Sequence, residues 1–410
     1  MPIHVHQYPN GLVLVAESMP WVESAALAVL VRAGCAYDPA DREGLAAMTC
    51  EMLQRGCGAR DSRKFIEDLE LLGVDISSAV SNYHVSFGGA MPAENLAATL
   101  AIFSDLVRRP MLPPDQLEDA RQGCLQSVRA LEDDLSSKTM QCLVRRFYAE
   151  PWGRPSQGAL ASVERISQSD IEADYRGLFR PNESIISVAG KIEFETLRDE
   201  IEKRFGDWRP KPSPTPRETP PMRGYQHIDC DSTQTHIGIA FPSVPFASPD
   251  YYQARAAIGV LSDGMSSRLF TEVREKRALC YSVMASCHSL RDRGSVICYS
   301  GTTTERAQET LNVMVAELRR LGDGITVEEL QRLQARLKSS LIMQQESSPA
   351  RARAMASEWF HLGRVQTLEE LKSIVDGLNV PQINRFLAEN APREFSFVTL
   401  GARQLDLPAN

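Results

Sequence analysis

Few residues of this chain have the type and spacing for chemistry. Its seven histidines (His4, His6, His84, His227, His236, His288 and His361) include no pair at i and i+4, the spacing that sets two imidazoles on one helix face around a metal. His4 and His6 fall on one face of a short alternating run, but no third ligand accompanies them, and two imidazoles on an edge strand read more simply as surface residues. The nine cysteines (Cys35, Cys50, Cys57, Cys124, Cys142, Cys230, Cys280, Cys287 and Cys298) are odd in number, scattered and without a CxxC. That usage fits reduced, mostly buried thiols in the cytoplasm. Cys50 and Glu51 could each ligate a metal, but as helix neighbours they point about 100° apart, so a buried thiol beside a solvated or salt-bridged carboxylate is the simpler reading. Arg277 and Tyr281 close the stretch GMSSRLFTEVREKRALCYSV, 264–283. From spacing alone, Arg277 pairing with a carboxylate and Tyr281 packing in a sheet is as good a reading as a pair facing a ligand.

The elements that position these residues follow from periodicity. In 264–283, Ser266 or Ser267 can cap a helix, Leu269, Phe270 and Val273 recur at helical spacing, and Leu279, Tyr281 and Val283 alternate as a strand. Arg277 and Tyr281 therefore sit at a helix-to-strand corner. Upstream, Asn10 and Gly11 mark a hairpin, and Ala25 to Ala33 is a strongly apolar strand. The loop CAYDPADREG then leads into a helix from about Gly44 to Arg55. Leu45, Met48, Met52 and Leu53 form its apolar stripe, leaving Ala47, Cys50, Glu51 and Gln54 on the other side. Val74 to Gly89 alternates as two strands, and Ala93 to Val107 is an amphipathic helix.

The string SSRLF, the run VREKR and the spacing of Arg277 from Tyr281 closely resemble the second-half signature of the pitrilysin and insulinase metallopeptidase family, in the short-chain branch that includes mitochondrial processing peptidase subunits. The segments PWGRPSQG (151–158) and DYRGLFRPNESIISVAGKI (174–192) resemble further family segments in the family's order. The resemblance implies that Arg277 and Tyr281 contact bound peptide substrate. It also implies that the helix after Gly44, Leu45 and Ala46 should carry HxxEH, two zinc-binding histidines with a glutamate base between them. In that register the positions are Ala47, Cys50 and Glu51, all replaced. The third ligand of the family, a Glu, falls in GCLQSVRALEDDL (123–135), where Gln126 and Ser127 stand instead. Glu132 to Asp134 read as a solvated face. No zinc ligand of the family survives, so no metal is expected in this chain and zinc is expected in a partner.

The second half repeats the element order of the first. Between the halves, six prolines crowd WRPKPSPTPRETPPMRG, which reads as an extended linker. The expected organisation is a domain over 1–208 with the zinc motif lost, a linker over 209–224, and a domain over 225–410 keeping the Arg and Tyr corner. Each domain is expected to be α+β, an antiparallel sheet with helices on one face. The resemblance adds a clam-like arrangement around a chamber.

Composition excludes several classes. A net charge of −8 gives no electrostatic argument for nucleic acid or an anionic membrane. The N-terminus lacks the pattern of a cleaved secretion signal, and no apolar run is long enough to span a membrane. GxGxxG, phosphate-loop, nucleophile-elbow and zinc-finger patterns do not occur. The leading expectation is a non-catalytic, substrate-binding subunit of a heterodimeric zinc metallopeptidase, paired with an HxxEH-containing homologous chain. The alternatives are a structural or scaffold homologue, and a peptide-binding protein acting alone or as a homodimer. A peptidase with relocated ligands ranks last.

Overall fold

The computed structural model describes residues 3–344 and 346–408. Strands β1 (Ile3–Gln7) and β2 (Val13–Ser18) form the hairpin that Asn10 and Gly11 announce. The Asn10 side-chain carbonyl accepts from the Leu12 N–H at 3.1 Å, closing the turn locally. β3 (Ser24–Val31) follows, then a two-residue ladder of β4 (Gly56–Cys57) and β5 (Arg60–Asp61), then β6 (Asp75–Val80), β7 (Val85–Pro92) and β8 (Ile185–Gly190). Six of these make one sheet in the order β1-β2-β8-β3-β7-β6, in which only β2 and β8 run parallel.

The second sheet is built from β9 (Tyr225–Asp229), β10 (Gln234–Ser243), β11 (Cys280–Ser289), β12 (Gly294–Thr303) and β13 (Ser396–Gly401). Its order, β11-β12-β10-β13-β9, repeats β6-β7-β3-β8-β2, down to the single parallel pair, here β13 and β9. The expected duplication is therefore visible in topology as well as in element order. Residues 209–224 hold no helix or strand beyond an isolated bridge at Thr219.

The compact units are not contiguous in sequence. One comprises Met1–Ala130, Arg154–Glu218 and Met343–Thr367; the other comprises Leu131–Gly153, Thr219–Ile342 and Leu368–Asn410. Each thus takes a helix from the other half of the chain. In the first unit, the main helical layer covers one sheet face through Leu14, Leu27, Val29, Met48 and Phe103. The opposite face, with Val13, Val15, Ala26, Ala28, Ile185 and Ala189, is covered by Ala352, Met355 and Ala356 of the helix Ser348–Leu362. In the second unit the helix Leu135–Phe147 takes the matching place against β10 and β13. A strand buried on both faces reads as an unbroken apolar run, which is why SAALAVLV in β3 does not alternate.

Candidate functional site

The helix Leu45–Leu53 is held at its start by the loop before it. Asp38 accepts from the Gly44 and Ala46 N–H groups at 2.8 and 3.0 Å, satisfying two of the free amides of the first turn. Gly44, at φ +100°, lies against Gly158 of PWGRPSQG, and a Cβ on Gly44 would stand 2.8 Å from Val163 Cγ2. The apolar stripe of Leu45, Met48, Met52 and Leu53 is buried as periodicity predicts. Behind it, Asp174 is buried, accepts from Thr49 Oγ1 at 2.8 Å and is pushed up to about 7 by burial.

The remaining face lines a pocket of about 430 Å³ with Ala47, Cys50, Glu51, Cys124, Ser127 and the edge strand at Ser78. Four of the five expected degenerate positions therefore meet. Gln126 does not line this pocket, because it lies about 100° round the helix Leu117–Asp133 from Ser127. Cys124 was missed by sequence reasoning, although it lies three residues before Ser127 and so on the same helix face.

The donors present do not fit zinc. Ala47 offers only a methyl. The Cys50 thiol is 5% exposed and pushed up to about 12 by burial, which raises the cost of the thiolate that zinc requires. Burial, and then the Glu51 charge, pushes Cys124 up to about 11. The Glu51 carboxylate is taken by Arg55 at 2.5 Å, and the Ser127 hydroxyl donates to the Gly123 carbonyl at 3.1 Å. Among the described residues, no group of three or more His, Cys, Asp and Glu is arranged to hold a metal ion. His4 stacks on Phe194 with ring centroids 4.5 Å apart.

At the second candidate position, residues Phe270–Glu275 form a π-helix, and Ala278 turns at φ +50° into β11. The serine cap expected at 266 or 267 is not formed. The Ser267 carbonyl, not a hydroxyl, accepts from the Thr271 N–H, and the Ser267 hydroxyl has no hydrogen-bond partner among the described residues. Cys280 pairs with Thr302 and Ser282 with Gly301, so Tyr281 is the extra residue of a β-bulge. The bulge throws its ring outward, 86% exposed, with the Arg274 guanidinium 5.3 Å from the ring centroid. Tyr281 lines a pocket of about 420 Å³ with Gln234, Tyr299, Thr302 and Arg306, which sequence reasoning had not singled out. Arg277 does not line that pocket; its guanidinium donates to the Glu272 carboxylate and carbonyl, both at 2.7 Å. Arg277 and then Lys276 hold the Glu272 carboxyl below its ordinary range.

Comparison with known proteins places this geometry. Residues 13–158 match the family model "Insulinase (Peptidase family M16)" and residues 165–337 match "Peptidase M16 inactive domain". The chain is 25% identical over 380 residues to the "Uncharacterized zinc protease YmxG" of Bacillus subtilis, covering 92% of each. It is 22% identical over 394 residues to an "Uncharacterized zinc protease" of Rickettsia bellii, covering 95% of this chain and 96% of that one. Among solved structures, the peptidase M16 inactive domain from Pseudomonas fluorescens matches with a TM-score of 0.90 at 19% identity over the whole of both chains. A protease from Helicobacter pylori matches with a TM-score of 0.89 at 18% identity, covering 97% of this chain and 99% of that one. A chain of Complex III2 from Candida albicans matches with a TM-score of 0.83 at 18% identity, covering 98% and 96%. With both halves matched in chain order by models of one family, the chain belongs to the pitrilysin and insulinase (M16) family of peptidases.

Proposed function

We propose that this chain is the non-catalytic, peptide-binding subunit of a heterodimeric zinc metallopeptidase whose homologous partner carries HxxEH and the zinc. The observation that carries this reading is an asymmetry between its two candidate sites. The pocket under Ala47, Cys50, Glu51 and Ser127 has no donor set for zinc, whereas Tyr281 stands exposed on a bulge beside an open pocket. Hydrolysis needs a polarised carbonyl and a positioned peptide, and the two tasks can be carried by different chains. In this division Tyr281 offers its hydroxyl to the peptide. Arg277, with part of its fork already held by Glu272, offers its remaining N–H groups.

Reconstitution with an HxxEH-bearing homologue from the same cell tests this. Zinc-dependent peptide cleavage is expected only in the pair, and Arg277→Ala or Tyr281→Phe is expected to lower turnover about tenfold or more with an unchanged melting temperature. Turnover by the partner alone at the full rate would sink the proposal.

One observation favours a second reading, a structural or peptide-binding homologue without a proteolytic role. Arg277 is engaged by Glu272 of the preceding π-helix, as a purely structural arginine would be. Unaltered turnover and peptide binding in both variants would move the assignment there.

A further inference from the structure

We propose that the pocket between the 264–267 loop and the helix Val327–Gln344 is an oxyanion subsite, binding a ligand that carries a phosphate or carboxylate group. It is separate from both positions described above and does not rest on the peptidase-subunit reading.

The pocket has a volume of about 550 Å³ and is lined by Gly264, Met265, Ser266, Ser267, Arg332 and Arg336, among others. Arg332 and Arg336 are one helical turn apart and exposed, and project from one face. Neither makes an ion pair or hydrogen bond among the described residues. The two carboxylates that also line the pocket are already matched elsewhere. Asp263 pairs with Arg255 at 2.9 Å. Glu329 holds Arg268 in a two-point contact at 2.7 and 2.8 Å and accepts from the Thr326 N–H at 2.8 Å. Two guanidiniums are left in excess, and a planar fork of donors suits an oxyanion.

Two further observations point the same way. Ser267 lines the pocket, is only 4% exposed, and its hydroxyl has no hydrogen-bond partner among the described residues, which is costly for a buried polar group unless a ligand or solvent supplies one. Gly264 sits at φ +101°, and a Cβ there would stand 2.7 Å from Arg336 Nη1. The Arg336 guanidinium thus lies against the loop backbone at a residue whose φ favours glycine.

The test is calorimetric titration of the full chain with inorganic phosphate and, separately, with a triglutamate peptide, at constant ionic strength. Saturable binding is expected for at least one probe, weakened tenfold or more in Arg332→Gln/Arg336→Gln and several-fold in Ser267→Ala. Binding of phosphate alone assigns a phosphoryl ligand, and binding of triglutamate alone assigns a carboxylate. Both arginines are exposed, so the double variant is expected to melt like the wild type. If it does not, Ser267→Ala and Arg336→Lys carry the test. The proposal is overturned if neither probe binds the wild type, or if binding is the same in all variants.

Discussion

At the residue scale, the pocket beside Ala47, Cys50 and Glu51 is chemically specific. On its helix face stand a thiol buried to the point of staying protonated and a carboxylate paired with Arg55. The acid behind that helix has a measurable consequence. Asp174 in the native state keeps its proton up to about pH 7, while in the unfolded chain a carboxyl releases it near its ordinary 3.8. Between those values the native state binds more protons, so the stability this group confers is complete below the lower value and lost as pH rises through the upper one. Asp38, pushed up by burial and then by the Asp174 charge, acts in the same direction. Stability, read from the urea midpoint at each pH, is therefore expected to fall from pH 5.5 to pH 8 by up to about 1.4 kcal/mol per pH unit for each of the two groups. Asp174→Asn should reduce that slope, leaving the share of Asp38, and an unchanged slope in this variant would show that the proton sits elsewhere. Sequence periodicity identified the helix and its buried stripe. It did not identify Asp174, because burial of an acid depends on what covers it.

At the element scale, the helix Ser348–Leu362 is fastened to the first sheet by more than apolar contact. Arg351 pairs with Glu17 on β2, and both side chains are nearly buried. Removing one partner leaves the other charge without compensation, so Arg351→Ala is expected to cost about 3–5 kcal/mol, read from the urea midpoint. The double substitution Arg351→Met/Glu17→Leu removes both charges and should recover most of that loss. Full loss in the double variant would mean that the helix is held by the Arg351 contact to the Gln366 carbonyl instead. The corner at Tyr281 was legible as helix then strand. Its π-helical turn and bulge were not, and the bulge depends on pairing with β12 rather than on local periodicity.

At the scale of the whole molecule, the exchange of helices between sequence halves governs how the chain can be cut. A fragment of residues 1–218 contains every strand of the first sheet but lacks the helix Ser348–Leu362, leaving the Val13, Val15, Ala26 and Ala28 face open. That fragment is expected to aggregate or to melt without cooperativity, and to recover when residues 219–410 are co-expressed. A soluble, cooperatively melting 1–218 would show that this face needs no cover. The sequence by itself determined the strands and main helices, the duplication, the family and the absence of HxxEH, since all of these are written in local periodicity and in residue identity. Only the tertiary structure decided which residues share a pocket, that Cys124 and not Gln126 joins Ala47, Cys50, Glu51 and Ser127, that Arg277 is held by Glu272, and that each sheet is covered by a helix from the other half. Those facts arise from contacts between residues far apart in the chain, and a helix with an apolar stripe records that it must be buried without recording against which sheet.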